Sequence, residues 1–178
     1  MLITALLFAA TLPGFRIQAT DGYDYTQENL SKHKLNVWVF VLPECPISNQ
    51  YAPEINRIIK EYKPIGVDFS LVHVETTATA TSAKLHAKQF GYTCRILLDK
   101  NQSLVKIARA TKVPEVAVVT QNGTIVYLGR IDNLYFDLGK RRKEVTRKDL
   151  RIAIQETLNG KNVSVPKTDV IGCYIPNP

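Results

Sequence analysis

The 178-residue chain has no Cys-x-x-Cys pair, only three cysteines and only three histidines. The missing pair argues against a zinc cluster, because structural zinc takes its ligands from closely spaced cysteines and histidines. His33, His73 and His86 are scattered, with no spacing that suggests a metal site, so no metal or other cofactor is expected. Beyond residue 12 no apolar run is long enough to cross a bilayer, which takes about 20 residues. There are no internal repeats and no low-complexity linker, so one domain with a tail is expected. Its 45% hydrophobic and 22% charged residues are ordinary for a soluble globular chain.

The net charge is +7, and part of it comes from one run, Lys140-Arg-Arg-Lys143. That run has no stacking aromatics or recognisable nucleic-acid module beside it, so it reads as a solvated surface loop. No nucleic-acid partner is expected, although the charge can attract an acidic one. The first residues read as a targeting segment. Leu2 to Leu12 is apolar or small apart from two threonines, and Pro13-Gly14 breaks it. The run has signal-peptide length, and Ala19 ends a plausible cleavage site, although no Lys or Arg precedes the run. The expected division is a signal peptide over 1–19, a domain over 20–160 and a C-terminal tail over 161–178. The mature protein is expected to be exported and not membrane-spanning.

Cys45, Cys94 and Cys173 are an odd set for an exported protein. One disulfide and one free thiol is the simplest arithmetic. Around them the apolar pattern predicts an α/β layout with a mixed sheet. After an irregular lead-in over 20–34, a buried strand is predicted over 35–42. A helix over 46–62 follows, kinked at Pro53. Next come a strand over 67–74, a helix ending at Phe90, a short strand over 96–98 and a helix over 99–110. A hairpin over 115–131 turns at Asn122-Gly123, and a last helix starts near Thr146. A loop is expected over 133–143.

Cys45 is the leading candidate for chemistry. It sits between the strand ending at Leu42 and a helix opening with Pro46. Free backbone N–H groups and the helix dipole there favour the thiolate, the reactive form. Ser48 stands where a second cysteine of a Cys-x-x-Cys motif would be. Val113-Pro114 is the second piece, because a proline at the start of a strand is explained by a cis bond. Beside a reactive cysteine it leaves the preceding backbone free to pair with a bound peptide. Cys173, in Gly-Cys-Tyr-Ile, either resolves an intermediate on Cys45 or forms a permanent structural disulfide. Cys94 reads as a buried free thiol. Asp99 and Asp132 read as loop caps and ion-pair partners near the working edge of the sheet.

These residues resemble the thioredoxin-like redoxins of the alkyl hydroperoxide reductase and thiol-specific antioxidant type. The resemblance rests on Cys45-Pro46, Tyr51-Ala-Pro-Glu54, Leu98-Asp99, Val113-Pro114-Glu115 and Tyr127-Leu-Gly-Arg-Ile-Asp132. The tail Gly172-Cys-Tyr-Ile175 is similar to an exported bacterial subgroup. The resemblance implies a thioredoxin fold with a redoxin-type insertion between Cys45 and Pro114. It also implies Cys45 as nucleophile and Pro114 at the cis-proline position. Cys45 and Cys173 are then the catalytic candidates, with Pro46, Ser48, Val113 and Pro114 bordering the substrate. Protein thiols or disulfides, or a hydroperoxide, are the implied partners. The chain departs from dithiol oxidoreductases at Ser48, from typical peroxidases at Trp38 and Leu42, and from copper chaperones at Asn49. A thioredoxin-fold binding module with a structural Cys45–Cys173 bond is the competing expectation.

Overall fold

The computed structural model describes residues 12–176. A mixed seven-stranded sheet in the order β2-β1-β5-β4-β3-β7-β8 forms its centre. The strand β3 (Leu35–Val41) is buried at every position, as a near-continuous apolar run requires. It pairs in parallel with β4 (Val67–His73) and antiparallel with β7 (Glu115–Thr120). Beyond β4 lies β5 (Arg95–Leu98), again parallel. Beyond β7 the chain returns as β8 (Ile125–Gly129), the second arm of the Asn122-Gly123 hairpin. Helices flank the sheet, and the unit α3 (Ala80–Phe90) with β5 fills part of the predicted insertion.

The helix after Cys45 is broken into α1 (Pro46–Gln50) and α2 (Ala52–Tyr62). Pro53 has no N–H to give the carbonyl of Asn49, so one helical bond is lost at the junction. Tyr51 bridges the break, its N–H donating to the Ile47 and Ser48 carbonyls at 3.2 Å and its own carbonyl accepting from Ile55 N–H at 2.9 Å. The predicted helix over 99–110 shrinks to α4 (Ser103–Ala108), because Asp99 acts as its cap. The Asp99 carboxylate accepts from the N–H groups of Ser103 at 2.7 Å and Val105 at 3.0 Å. The last helix, α5 (Asp149–Leu158), starts three residues later than Thr146. Asp149 is buried and takes Arg130 Nε at 2.7 Å.

The structure adds order where the sequence pattern shows little. The boundary after Ala19 falls inside the fold. Arg16–Ala19 forms β1, which lies between β2 (Asp24–Thr26) and β5, with Phe15, Ile17 and Ala19 buried. Residues 1–11, which carry most of the apolar run, lie outside the described residues. The lead-in is likewise ordered: Tyr25 is buried, and Trp38 Nε1 donates to its hydroxyl at 3.2 Å.

The loop over 133–143 contains a small hairpin, β9 (Tyr135–Asp137) with β10 (Lys140–Arg141). The described part of the tail is bound to the domain. Leu128 N–H donates to the Pro166 carbonyl at 2.9 Å, and Thr168 N–H to that of Leu128 at 3.2 Å. A Cβ on Gly129 would fall 2.8 Å from the Thr168 carbonyl oxygen, so only glycine lets the tail lie this close. Farther on, β11 (Cys173–Tyr174) pairs antiparallel with β6 (Lys112–Val113).

Candidate redox site

Cys45 caps α1 in extended backbone geometry and is bonded to Cys173, with the two Cα atoms 6.0 Å apart. The Val113–Pro114 peptide is cis. The Val113 carbonyl oxygen lies 3.6 Å from Cys45 Sγ. Cys45, Val113, Pro114 and Cys173 thus meet at one point, and Pro46 is exposed beside them. Ser48 does not join them at the surface. It is fully buried, and its hydroxyl has no hydrogen-bond partner among the described residues. Expected beside the substrate, it is instead packed inside the fold, on the buried side of α1 with Ile47. Cys45 is itself only 2% exposed, whereas Cys173 is half-buried. A groove of about 640 Å³, lined in part by Pro46, Ile47, Tyr135 and Arg141, borders the Cys173 side of the bond.

The strand that presents Val113 is held by a buried carboxylate. Glu115 accepts from Thr111 N–H at 2.8 Å and Lys112 N–H at 3.2 Å. Burial raises its pKa above the usual carboxylate range, against the pull of those donors. Asp132 performs a similar task across the site. It takes the Tyr51 hydroxyl at 2.7 Å and Leu134 N–H at 2.8 Å, tying the α1–α2 junction to the end of β8. Burial raises its pKa as well. Both Asp99 and Asp132 therefore serve as caps and ties, and neither touches a cysteine among the described contacts.

One cluster had no signal in the sequence. His73, on β4, and His86, on α3, meet with ring nitrogens 3.4 Å apart. His86 Nε2 lies 2.9 Å from Asn49 Oδ1, and Asn49 Nδ2 donates to the Pro43 carbonyl at 2.6 Å. His73 Nδ1 lies 3.2 Å from Glu75 Oε1. Because Asn49 gives its amide to Pro43, its oxygen must accept, so Nε2 of His86 carries the proton. Nδ1 of His86 then accepts from His73. The chain of bonds ends under the loop that leads to Cys45. Thirteen residues separate the two histidines, and only the β4–α3 crossover brings them together.

Cys94 is the free thiol, half-buried rather than fully buried and packed against the main core. Burial pushes it up to about 12, so it stays protonated at neutral pH. On the reduced native protein, iodoacetamide is expected to alkylate Cys45 and Cys173 and leave Cys94 unmodified. Peptide mass mapping checks this, and rapid labelling of Cys94 would contradict its assignment as a packing residue.

A family model described as Redoxin matches residues 9–135. The matched segment includes Cys45 and Pro114 but stops short of Cys173. No curated protein sequence matches the chain. Among solved structures, an uncharacterised conserved protein from Geobacillus kaustophilus is 24% identical, with a TM-score of 0.79 over 94% of this chain and 90% of that one. A hypothetical protein from Sinorhizobium meliloti 1021 is 22% identical, with a TM-score of 0.80 over 93% of this chain and 91% of that one. A secreted disulfide oxidoreductase of Mycobacterium tuberculosis is 17% identical, with a TM-score of 0.54 over 62% of this chain and 79% of that one. At such identities the likeness is one of fold, and it is the thioredoxin-like fold. The match over most of the chain, joined to a cysteine pair at the sheet edge, gives the conclusion that this protein belongs to the redoxin family and has a thiol redox role.

Proposed function

We propose that the protein is a thiol-disulfide oxidoreductase in which Cys45 attacks and Cys173 resolves. The observation that carries the reading is the pairing of the Cys173 strand with Val113 while its sulfur is bonded to Cys45. The tail thereby lies as a partner peptide would lie, along the backbone beside cis-Pro114. Pro46, Val113 and Pro114 border the partner, and Ser48 supports α1 from inside.

In the reduced protein the Cys45 thiolate attacks one sulfur of a partner disulfide. That bond breaks, a mixed disulfide with Cys45 forms, and the other partner sulfur leaves and takes a proton from solvent. The Cys173 thiolate then attacks Cys45 Sγ, releasing the partner's cysteine and closing the Cys45–Cys173 bond. The partner gains two electrons and the protein's pair loses two. Two external thiols, or one dithiol, restore the pair and leave as a disulfide, the first attack reaching the half-buried Cys173 sulfur before the buried Cys45 sulfur.

A protein disulfide is favoured over a hydroperoxide because the site offers a main-chain pairing edge. An exported, oxidising compartment is favoured by the disulfide and by the apolar run that precedes the fold. No helix among the described residues is long and apolar enough to cross a membrane. The fold unit in this reading runs from about Phe15 through the bound tail.

The competing reading is a structural staple in a binding module. Redox titration against defined thiol buffers separates the two. A working pair is expected to have its midpoint above about −300 mV, and structural disulfides lie below that value. A midpoint well below it would remove the catalytic reading.

A further inference from the structure

Gly172 packs directly against the Val113 backbone. A Cβ built on it would fall inside the Val113 carbonyl oxygen and 2.8 Å from the Val113 carbonyl carbon. Both atoms are backbone. They belong to the segment whose Thr111 and Lys112 N–H groups are held by the Glu115 carboxylate. No rotamer change can open that space. Gly172 has nothing unusual in its φ, so the need for glycine comes from contact alone.

Two constraints fix the position of Gly172. The sulfur of the following residue is bonded to Cys45, and the backbone of that residue pairs with Val113. Any cysteine that meets both constraints puts its preceding residue in the same place. The residue after it falls where Tyr174 lies, with Lys112 Nζ 5.2 Å from the ring centroid and the side chain largely exposed. The position before the cysteine is therefore closed to side chains, and the position after it is open.

From this geometry we infer that the site selects partner cysteines preceded by glycine in an extended segment. The inference rests on the proposed exchange at Cys45 and adds to it the partner's local sequence. The chain's own Gly172-Cys173-Tyr174 is then a built-in copy of the preferred partner, and tail and partner occupy the groove in turn.

The test uses the full chain carrying Cys173→Ser, with Cys45 reduced. The probes are Gly-Cys-Tyr-Ile and Ala-Cys-Tyr-Ile, each as a mixed disulfide with glutathione. The Cys45 thiolate attacks the peptide sulfur, the peptide–glutathione bond breaks, and glutathione leaves as thiolate. The Cys45–peptide adduct is quenched in acid and read by intact mass. Each rate is divided by that peptide's rate with free cysteine. Any residual tail in the groove hinders both peptides equally. The glycine peptide is expected to form the adduct at least about tenfold faster, in keeping with the cost of forcing a methyl group into a packed contact. Equal normalised rates would overturn the inference and leave the redox reading standing. No adduct with either peptide, while iodoacetamide still alkylates Cys45, would overturn both.

Discussion

Reducing the Cys45–Cys173 disulfide is expected to lower the unfolding free energy by about 5 kcal/mol, from the chain-entropy relation for its sequence separation of 128 residues. The bond closes most of the chain into one loop. The unfolded ensemble of the reduced protein therefore gains freedom that the oxidised one lacks. The folded state keeps many of its tail contacts without the bond. Lys112 Nζ donates to the Val170 carbonyl at 3.1 Å, Ile175 N–H to that of Thr111 at 3.0 Å, and Gln102 Nε2 to that of Pro176 at 2.6 Å. The loss thus arises mainly in the unfolded chain. Urea unfolding with and without a phosphine reductant measures it, and Cys173→Ser should give the reduced value in both. Matching midpoints for oxidised and reduced protein would show that the bond adds nothing to stability.

Acid should destabilise the protein through His86. Burial, and then the neighbouring His73, push its pKa down from 6.5 to about 4. The unfolded chain binds a proton near pH 6.5, whereas the folded chain resists until about pH 4. Between those values the unfolded state holds more protons, so stability is lost as pH falls through that window. From pH 7 to 4.5 the loss is about 2–3 kcal/mol. Charging His86 also faces Nδ1–H toward His73 and forfeits the bond it accepts there. His86→Gln keeps a donor for Asn49 but does not titrate. Its unfolding free energy should fall less over the same pH range, as urea titrations at each pH would reveal. Parallel pH profiles for the two proteins would refute the assignment.

Sequence pattern was enough where burial is continuous or a special residue marks a junction. The β3 run, the Cys45-Pro46 junction, the Asn122-Gly123 turn and Pro114 each carry a local physical signal. β1 and β2 carry little. They are four and three residues long, and their outward Arg16 and Asp24 pair with one another at 3.1 Å, which breaks up any apolar pattern. A leader-like run directly upstream completed the disguise. The burial of Ser48 is not legible, because position in a motif does not say which face of a short helix is covered. The Asn49–His86–His73 chain was illegible for a different reason. Its members lie on three elements, and only the crossover geometry makes them neighbours.

The Thr168 anchor outlasts the bond it serves. Its hydroxyl oxygen lies 3.0 Å from Arg130 N and 2.7 Å from the Tyr127 hydroxyl, neither of which depends on the disulfide. When a partner displaces the reduced tail from β6, Thr168 becomes the fixed end of a leash of five residues, about 17 Å at full stretch. A thiol confined to that reach meets Cys45 at an effective concentration on the order of tens of millimolar. Ring closure should then be first order and indifferent to protein dilution. A free thiol must reach comparable concentrations before it competes.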